Sequence, residues 1–229
     1  VSYTLVTANR NYSSWSLRPW LLMRALAIPF EERIAPFTQA ENWAAFRAFS
    51  PTGQVPVLID GARTIWDSLG IALYLAERHD GVWPADADAR AWAQCAVAEM
   101  HGGFSALRSE RTMNVGVRAT PAPGSPALAR DVARITELWR EGLERFGGPW
   151  LAGAAFTAVD AFYAPVAFRV RTYGIDVGAA GQRWVDTVLA HPAMLAWEEA
   201  ALSETWREEG HEADLRACGT VTADHRAGQ

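Results

Sequence analysis

The chain predicts an α/β domain followed by an all-α domain, and three observations carry that division. Short alternating segments and an Asp60-Gly61 turn crowd the first 66 residues, helical periodicity dominates from residue 87 to residue 206, and "DGVWPAD" separates the two regions. The organisation follows as an N-terminal domain over 1–80, a helical domain over 87–206, and a polar, weakly patterned tail over 207–229.

Residues 3 to 8 alternate as a strand, and residues 17 to 27 place Leu17, Leu21 and later apolar groups at helical spacing. Pro19 is tolerated in a first turn, where N–H groups have no partner, so the helix should begin near Ser14 to Ser16. "FEERIA" reads as a second strand, and a short helix spans about 41 to 48. Val55 to Ile59 forms a strand, the Asp-Gly pair turns it into another, and a helix runs from Asp67 to about His79. In the second half, helical patterns cover 87–114, 127–146, 157–172 and 180–205, the last interrupted at His191-Pro192. "VGVRATPAPGSP" is a loop by composition. Thr157 and Asp160 have the spacing of a capping box, which makes Asp160 a folding device rather than a general acid.

Composition removes several functions. A formal charge of -5 without a basic block argues against nucleic acid. No apolar run is long enough to span a membrane, and no export signal is visible, so the expected location is the cytoplasm. Cys95 and Cys218 form no Cys-x-x-Cys pair and are expected to be free thiols, Cys95 packed among helices. The five histidines lack metal-ligand spacing, so no metal is expected.

The chemistry concentrates in "NYSSWSLRPW", where Ser13 and Ser14 stand between the first strand and first helix. A hydroxyl there caps the helix or contacts a ligand anion attracted by the free N–H groups and the helix dipole. Asp67-Ser68 offers the same choice at a second helix start, with Asp67 also able to accept from a ligand ammonium. Val55-Pro56 enters a strand where proline cannot donate to the ladder, and a cis bond there would aim the Val55 backbone groups outward.

Taken in order over nearly the whole chain, these features resemble the glutathione transferase superfamily, and "SSWSLRPW" resembles the active-site motif of its serine-type, zeta-like branch. Trp15 stands where that motif usually has cysteine, and Asp67 where glutamate is commoner. The resemblance implies a thioredoxin-like glutathione-binding domain, with glutathione as co-substrate, and a helical domain facing the electrophile. It also implies a homodimer. It assigns the thiol contact to Ser13, with Ser14 as competitor, and the glutathione contacts to Gln54, Val55, Pro56, Asp67 and Ser68.

On the electrophile side it points to Trp15, His101, Phe104, Arg108, Arg111 and, in competition with Arg169, Arg171. His101, Phe104, Arg108 and Arg111 advance by three or four residues, so a helix would place them on one face, whether as substrate wall, helix-end cap or dimer contact. Arg18 could add positive potential from the first helix. The implied activity is conjugation of glutathione to a small electrophile, with zeta-type cis-trans isomerisation or glutathione binding without turnover as alternatives. A thiol oxidoreductase is disfavoured because residues 11 to 20 contain no cysteine. Lowering a thiol pKa of roughly 8.5 by about two units requires on the order of 3 kcal/mol, within reach of one donated hydrogen bond and a helix terminus.

Overall fold

The computed structural model describes residues 3–38 and 42–227. Its first half comprises β1 (Tyr3–Thr7), α1 (Ser14–Ala25), β2 (Phe30–Ile34), α2 (Asn42–Phe46), β3 (Val57–Asp60), β4 (Arg63–Ile65) and α3 (Ser68–Ala76). The expected start of the short helix at 41 lies outside the described residues. The sheet runs β2-β1-β3-β4, with β1 parallel to β2 and antiparallel to β3. This is the thioredoxin-like arrangement, and it brings the β1–α1 loop, the entry to β3 and the start of α3 into one neighbourhood.

The second half comprises α4 (Ala87–Gly102), α5 (Ser105–Glu110), β5 (Val117–Pro121), α6 (Pro126–Phe146), α7 (Ala158–Tyr173), α8 (Gly178–Leu189), α9 (Pro192–Ser203), α10 (Glu209–Cys218) and β6 (Gly219–Asp224). At its centre, α7 has every residue but Arg171 buried, and it packs on α1, α4 and α8. An element enclosed on all sides must be apolar all round rather than amphipathic, as "AVDAFYAPVAF" is. Its capping box is formed, with Asp160 accepting from the Thr157 N–H at 3.0 Å. That carboxylate also accepts from the Leu151 N–H at 2.9 Å and from Trp184 Nε1 at 3.0 Å. Among the described residues no helix is long and apolar enough to cross a membrane.

Five expectations need correction. The single helix over 87–114 breaks at Gly102-Gly103, and Phe104 takes a left-handed φ of 57°. Segment 115–126 is not all loop, because β5 pairs antiparallel with β6. The tail is ordered over Glu209–Asp224: a glycine opens β6 because a Cβ at Gly219 would lie 2.3 Å from the Thr120 carbonyl oxygen. Pro19 lies beyond the first turn, inside α1, where its missing N–H leaves the Trp15 carbonyl without a helical donor. Cys95, moreover, is exposed on α4, while Cys218 is buried.

Candidate functional site

The β1–α1 loop is fixed by polar contacts from both halves. The Asn9 carbonyl accepts from the Tyr12 and Ser13 N–H groups at 3.2 and 2.9 Å, turning the chain into α1. From the helical half, the buried Glu204 carboxylate accepts the Arg10 N–H at 2.7 Å and the Asn11 N–H at 3.3 Å. Trp197 Nε1 donates to the Arg10 carbonyl at 3.1 Å, and Asn11 Nδ2 donates to the Ala201 carbonyl at 2.5 Å. The loop therefore holds its shape through α9 and the residue after it. Burial raises the Glu204 carboxyl above its ordinary range, against the pull of the N–H groups it accepts.

The serines divide the work at the helix start. Ser13 is the N-cap: its Oγ accepts from the Ser16 N–H at 3.3 Å and donates to Ser16 Oγ at 2.7 Å. Ser16 Oγ in turn accepts from the Ala8 N–H at 3.2 Å. Ser14 Oγ has no hydrogen-bond partner among the described residues, and both Ser13 and Ser14 line a cavity of about 640 Å³. Trp15, Gln54, Val55, Pro56, Asp67 and His101 line the same cavity. The Val55–Pro56 peptide bond is cis.

Asp67 caps α3, its Oδ1 accepting from the Leu69 N–H at 2.9 Å and the Gly70 N–H at 3.3 Å. Its other oxygen stands 3.2 Å from His101 Nε2. Ser68, expected as a glutathione contact, does not line the cavity; it is buried behind Asp67 with its hydroxyl unpaired among the described residues, a group with capacity for one more hydrogen bond. Gln54 is held through its backbone, its N–H donating to Ser50 Oγ at 3.1 Å, while its side chain is exposed at the cavity. Gly53 precedes it at φ 68°, and a Cβ there would lie 2.5 Å from Trp43 Cδ1. Gly53→Ala is therefore expected to displace Trp43 and Gln54 together, destabilising the fold by on the order of 1–2 kcal/mol, measurable by urea unfolding.

Beneath the cavity sits an unusual cation. Arg18 is only 1 % exposed, its guanidinium carbon 4.1 Å from the Trp15 ring centre and 5.1 Å from that of Phe162. Its Nε and Nη1 have no hydrogen-bond partner among the described residues. Burial depresses its pKa, with Arg108 and Arg169 adding like-charge repulsion. The same surroundings push His101 below the ordinary histidine value: burial is the largest cause, Asp67 opposes it, and Arg18 and Arg108 add to it.

The remaining arginines serve other purposes. Arg108 caps α4, donating to the carbonyls of Gly103 at 3.1 Å and His101 at 3.2 Å and to that of Met100, with its guanidinium 4.5 Å from the Trp15 ring centre. It supports the Trp15 wall from behind. Phe104 does not line the cavity; the left-handed turn sends it inward against Tyr163, with ring centres 6.4 Å apart. Arg111 donates to the carbonyls of Glu110 and Ala122 at 2.5 and 2.7 Å, away from the cavity. Arg171 is held bidentate by Glu198 at 2.6 and 2.9 Å, tying α7 to α9. Arg169 donates to the Arg111 and Pro165 carbonyls and is pushed down to about 10 by burial. The helix break explains the scatter, since the expected stripe needed one continuous helix.

Half of the lining escaped the sequence reading: Phe37, Asn42, Phe46, Thr52, Gly53 and Trp66, and with them Tyr12 and His211. Tyr12 and, from α10, His211 line its wall, and His211 stacks on Tyr12 and on Phe37 with ring centres 4.8 and 4.9 Å apart. The only signal for Tyr12 was its place beside the serines; a histidine in a polar tail carried none.

Comparison with known proteins bears on this geometry. The family model for the glutathione S-transferase N-terminal domain matches residues 12–78, and that for the C-terminal domain matches residues 123–200. A dichloromethane dehalogenase from Methylorubrum extorquens is 43% identical over 61 residues, a match spanning 26% of this chain and 21% of that protein. Glutathione S-transferase theta-1 from Bos taurus is 28% identical over 206 residues, covering 86% of this chain and 83% of that protein. The zeta-class enzyme of Euphorbia esula is 24% identical over 170 residues, covering 72% of this chain and 76% of that protein. Among solved structures, a glutathione transferase homolog from Burkholderia with bound glutathione shares the fold at TM-score 0.67 and 20% identity, over 88% of this chain and 98% of that one. A diazinon-metabolizing glutathione S-transferase from Bombyx mori does so at 0.68 and 19%, over 87% and 97%.

Proposed function

The chain belongs to the glutathione S-transferase superfamily, and on that premise we propose that it binds glutathione in the 640 Å³ cavity and transfers its sulfur to a small electrophile. One observation carries the reading. Two serines at the positive end of α1, the exposed entry to β3 and an acidic N-cap on α3 converge on one cavity although they lie far apart in sequence.

In this reading residues 1–80 hold glutathione and 87–206 face the electrophile. The α-ammonium of the γ-glutamyl group is held by Asp67, its carboxylate accepts from Ser68, and the cysteinyl backbone pairs with that of Val55 beside Pro56. Gln54 reaches a remaining amide or carboxylate. The thiol lies at Ser13. As the thiol ionises and gives its proton to solvent water, the Ser13 hydroxyl turns from Ser16 to donate to sulfur, while Ser16 can donate to Ser13 in return; the two oxygens are already 2.7 Å apart. The α1 dipole and the unpaired charge of Arg18 favour the same anion. The thiolate sulfur then forms a bond to carbon, and the leaving group departs with the bonding electrons. Trp15 and His101 face that carbon, His101 held toward its neutral form. Because two relatives are named dichloromethane dehalogenase, small halogenated alkanes are the first electrophiles to screen.

The test is an ultraviolet titration of bound glutathione's thiolate at saturating glutathione. A lowered pKa that rises by about one unit or more in Ser13→Ala, roughly the worth of one charge-assisted hydrogen bond, supports the reading. If Ser14→Ala alone raises it, the hydroxyl at work is the one without a protein partner. Binding with an unshifted thiol and no turnover replaces the transferase by a binding protein. The homodimer expected of the family is checked by analytical ultracentrifugation, in which a monomer at all concentrations counts against it.

A further inference from the structure

Glutathione has a second carboxylate, on its glycine, which needs a partner once the γ-glutamyl end is placed. The chain contains no lysine, its 21 basic residues all being arginine, and among the described residues no arginine lines the cavity. Among the described residues, the basic side chains in its wall are those of His101 and His211. His101 stands beside Asp67. His211 stands elsewhere, against Tyr12 and Phe37, and comes from α10, beyond the segment matched by the family models.

Its setting is built. The Glu208 carboxylate lies 2.6 Å from His211 Nδ1 and also accepts the His211 N–H at 2.8 Å. An ionised carboxylate only accepts, so Nδ1 carries a hydrogen, and Nε2 becomes a donor when the ring is protonated. The rings of Tyr12 and Phe37, stacked on the imidazole, fix its plane. Tyr12 is fixed in turn, its hydroxyl donating to Glu212, which Arg226 holds at 2.5 and 3.1 Å.

We propose that His211, oriented by Glu208, anchors the glycyl carboxylate of glutathione at the Tyr12–Phe37 wall of the cavity, away from the Asp67–His101 pair. The inference rests on the glutathione reading above. The charged or titratable groups around the imidazole are Glu208 on its own helix start, Glu212 and Tyr12 beside it, and Arg226 and Arg207 beyond them.

Calorimetric binding of glutathione and of γ-glutamylcysteine, which lacks the glycine, separates the claims when run with wild type, His211→Gln and Glu208→Gln. His211→Gln is expected to weaken glutathione about tenfold while changing γ-glutamylcysteine by less than about twofold, the scale of one charge-assisted hydrogen bond. Glu208→Gln, which loosens the orientation of the ring, is expected to reduce the same preference by a smaller factor. Equal losses for both peptides, or a preference indifferent to both substitutions, overturns the anchor. Failure of the wild type to bind either peptide overturns the glutathione reading itself.

Discussion

Asp160→Ala is expected to lower the stability of the protein by about 4 kcal/mol in urea unfolding, because it strands three buried donors at a typical cost of roughly 1–3 kcal/mol each. Those donors are the Leu151 and Thr157 N–H groups and Trp184 Nε1, which join the start of α7 to the preceding loop and to α8. Asp160 is fully buried, so these donors have no direct access to bulk solvent. Burial outweighs these donors in the acid's titration, raising its pKa from 3.8 to about 6. Between those values the folded protein binds a proton that the unfolded chain does not. The associated stability is complete below pH about 4 and is lost as the pH rises through about 6, with an upper scale of about 3 kcal/mol for two units. Asp160→Asn should remove that slope; an unchanged profile would mean the carboxyl titrates normally.

Glu204→Ala is expected to damage stability and chemistry together. It uncovers the Arg10 and Asn11 N–H groups and removes the second, 3.4 Å contact of the Asn11 side-chain amide, which keeps its bond to the Ala201 carbonyl. A stability loss of about 2–4 kcal/mol follows from burying those donors without a partner. Asn11 lies two residues before Ser13, so the loosened turn should also raise the bound thiol's pKa and lower kcat/KM by about tenfold or more, the usual scale for a misplaced reacting group. Glu204→Gln keeps one acceptor oxygen and should fall between the two. Wild-type thiol titration in Glu204→Ala, under conditions where it stays folded, would separate the loop's shape from the chemistry of the serines.

The contrast between these two carboxylates shows what could be read from sequence. Asp160 was legible because a capping box is local, its partner three residues away. Glu204 was not, because it joins α9 to a loop at the other end of the chain and no periodicity marks such a pairing. The same distinction separates the first strand, helix and hairpin, each specified by neighbouring residues, from β5 and β6. Those strands exist only through each other, and neither "VRATP" nor the polar tail announces a partner far away in the chain. On the electrophile side, the helical stripe failed at one point: Gly102-Gly103 ended the helix and Phe104 reversed the chain, so spacing past that turn no longer implied a shared face. Arg171 illustrates a further gap, since a charge near a site in sequence is available to a ligand only if no carboxylate has already taken it.

The position of α10 bears on how far the cavity and the turn can change separately. The turn at the serines is clasped by Glu204, Trp197 and Asn11, and α10 reaches the same turn at Tyr12, the residue before Ser13, through the stacked His211 ring and the Glu212 carboxylate. One wall of the cavity and the frame that positions sulfur therefore form a single mechanical unit, and a change in that helix is felt at the serines as well as by whatever the cavity holds.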